Sequence, residues 1–412
     1  MKLKKKGKQI IVKIAAGITA VLVSVPLASV VGENAEVINA VWQTEKEETI
    51  RKGRSSAPQE PVSLEMSGSF LLLYKPAEPR GQADGSHTAE IIPQVLPPLN
   101  PEYSENRFKT YEIFEDYPFG VNFSEPAAEV LSQNIADTRE EAVGFAEVDG
   151  RIVKTTFKPS GGDNFLNLDI AGQVRNETEL DNNFVLNQSR KLPEIKLELN
   201  GEPEVLIMHT HTTEAYQPCE YDFFDANYIA RSRDSGKNVV AVGAEIAKSF
   251  AEAGITVIHD GTLHDYPEYR DAYARSAETV RQILLAYPSI KVVLDIHRDA
   301  IDAGDGSRVA AVAQVDGRDA AQVMLISAAD DGTYGMPDYL QNFRLASLFQ
   351  SFMEYDSPGI TRPVLFQYCQ YNQHITTGSL LIEVGSYGNT LEEAKYAGKL
   401  IGKSMAAALL SL

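Results

Sequence analysis

A few histidine and acidic residues, widely separated in the chain, have the types that chemistry at a divalent cation requires. His209-Thr210-His211 follows directly on the apolar run Val205 to Met208, and Glu214 comes three residues later. His297-Arg298-Asp299 closes the run Val292 to Ile296, and Glu383 lies near the end of Leu380 to Gly385. Imidazole nitrogens and a carboxylate oxygen are ordinary zinc ligands, and three protein ligands leave a position for water. A hydrolase of this kind needs a further carboxylate that is not a ligand, to take a proton from the attacking water and later deliver it to the leaving amine. Glu383 has the type for that task. Arg298 is the candidate donor to the developing oxyanion.

The elements that must carry these residues alternate regularly from Pro203 onward. Strand-like runs at Val205 to Met208, Ile255 to Ile258, Lys291 to Ile296, Val309 to Val315, Gln322 to Ser327 and Ser379 to Val384 are β-rich and apolar. Between them, Val239, Val242, Ile246 and Phe250 recur at helical spacing, as do Val280, Ile283, Leu284 and Tyr287, with a further helix near Leu340 to Phe352. Thr390 and Glu393 have the spacing of a capping box at the head of a last helix. The pattern predicts an α/β sandwich with a mostly parallel central sheet flanked by helices. Open sheets of this class bind ligands at the carboxyl ends of their strands, which is where the polar residues fall. If the extended backbone continues past Met208, His209 and His211 project to the same side.

The whole chain has 412 residues, 43% hydrophobic and 23% charged, which supports a buried core in at least part of it. Its net charge of −19 opposes the phosphate contacts on which nucleic-acid binding rests. Lys2, Lys4, Lys5, Lys6 and Lys8 precede Ile10 to Val31, a stretch whose one formal charge is Lys13. It is long enough to span a bilayer with the rest of the chain outside the cytoplasm, so residues 1–42 read as a signal-anchor. Pro26, Ala28 and Ser29 keep open a cleaved signal peptide instead. Residues 43–107, with eight prolines between Pro58 and Pro101, read as a disordered spacer interrupted by the apolar patch Phe70 to Tyr74. Residues 108–199 read as a small β-containing lead-in, and 200–412 as the domain with the candidate chemistry. Two cysteines without a CxxC support neither a thiolate zinc site nor a disulfide scaffold. No GxSxG elbow occurs, which weighs against a serine hydrolase.

Four blocks carry a resemblance: VLIMHTHTTEAY (Val205 to Tyr216), NVVAVGAEIAKSFAEAGITVIHD (Asn238 to Asp260), IKVVLDIHRDAI (Ile290 to Ile301) and LLIEVGSYGNTLEEA (Leu380 to Ala394). In this order they resemble the stage II sporulation protein P family, over roughly Gly172 to the C-terminus. The resemblance implies the fold of zinc-dependent N-acetylmuramoyl-L-alanine amidases. It also implies cleavage of peptidoglycan stem peptides and cross-links during forespore engulfment, with stage II sporulation proteins D and M as partners. It implies that His211 and His297 are zinc ligands and Glu383 the catalytic glutamate. The amidases carry a ligand glutamate just before their first helix, where this chain has Lys237-Asn238. Glu214, His209 and Glu220 are the candidates to replace it. A wall-binding scaffold that keeps the fold without the chemistry is the competing expectation.

Overall fold

The computed structural model describes residues 70–76, 94–95, 150–225 and 228–412. The expected signal-anchor, most of the expected spacer and the first part of the lead-in lie outside the described residues. Among the described residues, no helix is long and apolar enough to cross a membrane.

In chain order the strands and helices are β1 (Leu71–Tyr74), β2 (Gln94–Val95), β3 (Gly150–Thr155), β4 (Phe165–Asn167), β5 (Gln173–Asn176), α1 (Asn182–Ser189), β6 (Val205–Met208) and β7 (Phe223–Phe224). They continue with α2 (Val239–Glu252), β8 (Val257–Asp260), α3 (Ala272–Ala286), β9 (Val292–Asp299), β10 (Arg308–Val315), β11 (Arg318–Ala321) and β12 (Val323–Ala329). The last are α4 (Tyr339–Asp356), β13 (Val364–Tyr368), β14 (Ser379–Ser386) and α5 (Leu391–Leu410).

Ten strands form one sheet in the order β2-β1-β8-β6-β9-β14-β12-β13-β5-β4, and β11-β10-β3-β7 form a second. The central run β8, β6, β9, β14 is parallel. Its strands are nearly continuous apolar sequences because both faces are covered. Val280 and Ile283 of α3 pack with Leu206, Met208, Ile258 and Val293 on one face. Gly243 of α2 approaches His209 and His259 on the other.

The sheet is mixed, which corrects the mostly parallel arrangement that the strand–helix alternation predicts. β12 runs antiparallel to β14, and β1 runs antiparallel to β8. The chain reaches β12 from β9 through the β10–β11 hairpin and not through a helical crossover, so the connection that enforces parallel pairing is missing. The apolar patch Phe70 to Tyr74 supplies β1 and pairs with β8 along its length. β4 and β5, from the lead-in, add to the far edge through β13.

Local signals set the helices that matter here. Asn238 accepts the Val240 N–H at 2.9 Å and starts α2, and Gly254, at φ 96°, lets the chain turn out of it. The expected capping box heads α5: Glu393 N–H donates to Thr390 Oγ1 at 3.2 Å, and Thr390 N–H donates to Glu393 at 3.0 Å. α5 lies close along α2 because Gly398 and Gly402 have no side chain to hold off Val242 and Ile246.

Candidate metal centre

Parallel pairing of β6, β9 and β14 brings their carboxyl ends together. Met208 is in register with Asp295, and Glu383 is in register with His297. Partners in register project to the same face of a sheet, so Glu383 and His297 share one side. Beyond β6 the chain leaves extended geometry and closes a tight turn, with Glu214 N–H donating to His211 C=O at 3.0 Å. The turn sends His211 and Glu214 toward His297.

One ligand atom from each of His211, Glu214 and His297 lies within 4.8 Å of the others, and all three residues are buried. His211 Nδ1 is 3.5 Å from Glu214 Oε1, and His297 Nδ1 is 3.6 Å from Glu214 Oε2. The rings of the two histidines meet edge to face at 5.0 Å. Burial works against charge on Glu214, but the imidazoles of His211 and His297 and the Arg298 guanidinium outweigh it and hold the carboxyl well below its ordinary range. Burial likewise depresses the His211 imidazole. Burial would depress His297 too, yet Asp295 and Glu214 prevail and hold it well above the ordinary value.

Asp295 builds the support behind these groups. Its Oδ1 lies 2.8 Å from His297 Nε2, and it accepts the Thr210 N–H at 2.8 Å and the Thr210 hydroxyl at 2.7 Å. One carboxylate thus ties the β6 turn to the β9 histidine. A carboxylate on the far nitrogen of a ligand imidazole is the usual support of a metal-binding histidine. The donor set of two imidazoles and a carboxylate, converging at this spacing with that support, fits a zinc ion.

Glu383 stands outside the ligand cluster. Its Oε2 is buried without a hydrogen-bond partner. Burial first, and then the Asp299 carboxylate, push its pKa up to about 8. Asp299 is itself paired with Arg362 Nη1 at 2.8 Å. A carboxyl in such surroundings has the proton affinity suited to moving a proton near neutrality.

The other sequence candidates sit elsewhere. His209 turns away from the cluster: its Nδ1 is 2.9 Å from Ile296 C=O, and its Nε2 is 2.9 Å from His259 Nε2. Glu220 lies at the surface and pairs with Lys154 at 2.5 Å. Arg298 follows His297 on β9 and projects to the opposite side. Its Nε donates to Ala215 C=O and its Nη2 to Ala230 C=O, both at 2.9 Å, so the guanidinium is turned toward the backbone at Ala215 and Ala230 and away from the ligand cluster. Its backbone N–H, however, donates to Glu214 Oε2 at 3.0 Å. Of the remaining histidines, His264 Nδ1 is 2.8 Å from His209 C=O, and His374 is 3.3 Å from Arg281.

Asn238 occupies the place before α2 where the resemblance leads one to expect a glutamate. The structure brings Glu214 to that same place from another part of the chain, because Val239 N–H donates to Glu214 C=O at 2.8 Å. Sequence reasoning missed Asp295, Arg231, Tyr269 and Tyr273. Asp295 was detectable as a charge inside an otherwise apolar strand. The tyrosines carried no signal, since the place of Tyr269 depends on how the 261–271 segment folds and that of Tyr273 on where α3 packs.

Comparison with known proteins places this geometry in context. The family model described as stage II sporulation protein P (SpoIIP) matches residues 150–406. A curated relative, stage II sporulation protein P of Bacillus subtilis (strain 168), is 28% identical over 204 residues, covering 47% of this chain. The chain spans about half the length of that relative, 48%. Similar solved structures include the CwlD amidase from Clostridioides difficile in complex with the GerS lipoprotein, at 12% identity and TM-score 0.29 over 50% of this chain and 94% of that one. The N-acetylmuramyl-L-alanine amidase Ami1 from Mycobacterium abscessus aligns at 10% identity and TM-score 0.31 over 51% of this chain and 98% of that one.

Proposed function

The chain belongs to the stage II sporulation protein P family, and from that premise we propose that it is a zinc-dependent peptidoglycan hydrolase acting during sporulation. It cuts the amide between N-acetylmuramic acid and the stem-peptide alanine, and peptide cross-links in addition. Its work is thinning of the septal wall as the forespore is engulfed. The expected N-terminal anchor holds it to the cell membrane with this domain outside the cytoplasm, where stage II sporulation proteins D and M are its partners.

What supports this reading is the convergence of His211, Glu214 and His297 within 4.8 Å, with Glu383 in register beside His297. A zinc ion held by those three residues would supply a Lewis acid for the substrate carbonyl and make water more acidic. Glu383 takes the proton of the attacking water as the C–O bond forms, and returns it to the amide nitrogen as the C–N bond breaks. Asp295 keeps the His297 ring in place through the cycle, and Arg298 keeps Glu214 in place through its backbone N–H.

The test is release of peptides from purified peptidoglycan, read by mass spectrometry, with elemental analysis of the same protein. Glu383→Gln is expected to keep zinc and to lose about 10²–10⁴ in rate. A Gln variant that releases peptides at the normal rate removes Glu383 from the mechanism. A wild-type protein that binds the wall but carries no metal and cuts nothing favours a scaffold.

A further inference from the structure

The mechanism above assigns no protein donor to the developing negative charge on the substrate oxygen, because Arg298 projects to the face opposite His297 and spends its Nε, Nη1 and Nη2 on backbone carbonyls. A site of this kind ordinarily supplies one. The side chains around the ligand cluster point to where it is. The Tyr269 ring stacks on the His211 imidazole with centroids 4.5 Å apart and planes 23° apart. Its hydroxyl lies 3.5 Å from His211 Nδ1, the same nitrogen that faces Glu214. Of the described tyrosines near the cluster, Tyr273 meets the rings of His211 and His297 through its own ring, at 5.4 and 6.4 Å. Tyr269 brings a hydroxyl to a ligand nitrogen.

The Tyr269 side chain is fixed from several directions. The Arg231 guanidinium packs over its ring at 4.9 Å while pairing with Asp265 at 2.8 Å and approaching Glu214 at 3.7 Å. Arg275 reaches back from α3 to His264 C=O at 2.6 Å and to Glu268 C=O, holding the segment on which Tyr269 sits. Asp265 in turn accepts the Thr213 N–H and hydroxyl, at 3.1 and 2.7 Å, so the loop that carries Tyr269 is bolted to the turn that carries His211 and Glu214. Donors held rigid before the reaction are what makes electrostatic stabilisation effective, since nothing has to reorient as charge develops.

From this arrangement we infer that Tyr269 is the oxyanion donor, its hydroxyl hydrogen-bonding the substrate carbonyl oxygen as water adds to the carbon. The inference rests on the hydrolase reading above. In the step, the water oxygen bonds the carbonyl carbon, its proton passes to Glu383, and the π electrons of the C=O move onto the oxygen facing Tyr269. When the C–N bond breaks, those electrons return to re-form the carbonyl and Glu383 gives its proton to the nitrogen. Tyr269 keeps its own proton throughout. The Arg231 guanidinium over the ring draws electron density from it and makes the hydroxyl a stronger donor.

The experiment is Tyr269→Phe in the full chain, which keeps the ring and its stacking on His211 and removes the hydroxyl alone. Steady-state cleavage of a soluble muropeptide and zinc affinity by chelator competition are both measured, with Glu383→Gln alongside. The expected result is a fall of about 10²- to 10³-fold in kcat, KM within about threefold, and an unchanged zinc dissociation constant. A kcat within fivefold of wild type overturns the assignment. So does a loss of zinc affinity that accounts for the loss of rate, because the hydroxyl would then serve the histidine and not the substrate. If Glu383→Gln is inactive while Tyr269→Phe is fully active, the hydrolase reading stands and the donor role alone falls. A wild-type protein that cleaves nothing removes both.

Discussion

At the scale of single residues, the site is a set of charges placed where each opposes or offsets its neighbours. Glu383 has the clearest measurable consequence. Its carboxyl titrates near 8 in the fold against an ordinary 4.5, so the uncharged form is the one the fold prefers. A raised carboxyl contributes stability that is present at low pH and lost as pH climbs from the unfolded value through the folded one. Chelator-treated wild type should therefore lose stability between about pH 5 and about pH 8, and Glu383→Gln, which cannot ionise, should lose less. Urea midpoints at the two pH values give the comparison, with an expected difference on the order of 1–3 kcal/mol after allowance for solvent screening. Glu214→Gln is the companion experiment. It keeps the shape of the side chain and removes the charge that His211 and His297 face, so zinc affinity should fall by at least about tenfold while the far-UV spectrum is unchanged.

At the scale of elements, the strongest prediction concerns a glycine. A Cβ at Gly243 would lie 2.7 Å from His259 Nε2 and 2.8 Å from His209 Cε1 and Nε2. Those imidazoles are buried and bonded to each other and to the Ile296 carbonyl, so neither can swing aside. Gly243→Ala is expected to destabilise by about 1–3 kcal/mol in denaturant unfolding, despite the better helix propensity of alanine. Much of the framework was legible beforehand because it rests on local signals. The β6 run, the α2 periodicity and the Thr390–Glu393 capping box all read directly from the chain. The direction of β12 was not legible, because strand polarity depends on the connection that leads to it and the sequence of β12 suits either direction. Glu214 was one of several candidates for the same reason of scale. Its place at the head of α2 is made by a backbone bond to Val239 that no spacing announces. Arg298 looked available beside His297, but alternation along β9 directs it to the other face.

At the scale of the whole molecule, folding and ligand uptake are coupled through protons. Asp295 and Glu214 raise the proton affinity of His297 above that of a free imidazole in the metal-free protein, and a nitrogen must shed its proton before it can bind a cation. Zinc uptake should therefore release protons, and affinity should weaken as pH falls. Calorimetry in buffers of different ionisation enthalpy measures the release directly. Because the candidate ligands come from the turn after β6 and from β9, saturation should stabilise the middle of the sheet. At zinc a hundredfold above its dissociation constant the gain is about 2.7 kcal/mol, lost on adding chelator.

β14 is the last strand of the sheet in chain order, yet it lies near the middle, between β9 and β12. A nascent chain still short of Ser379 therefore carries His211, Glu214 and His297 but not Glu383, and lacks the strand that pairs with both β9 and β12. Whatever Glu383 does beside His297, it can begin only once that last strand is seated between its two neighbours.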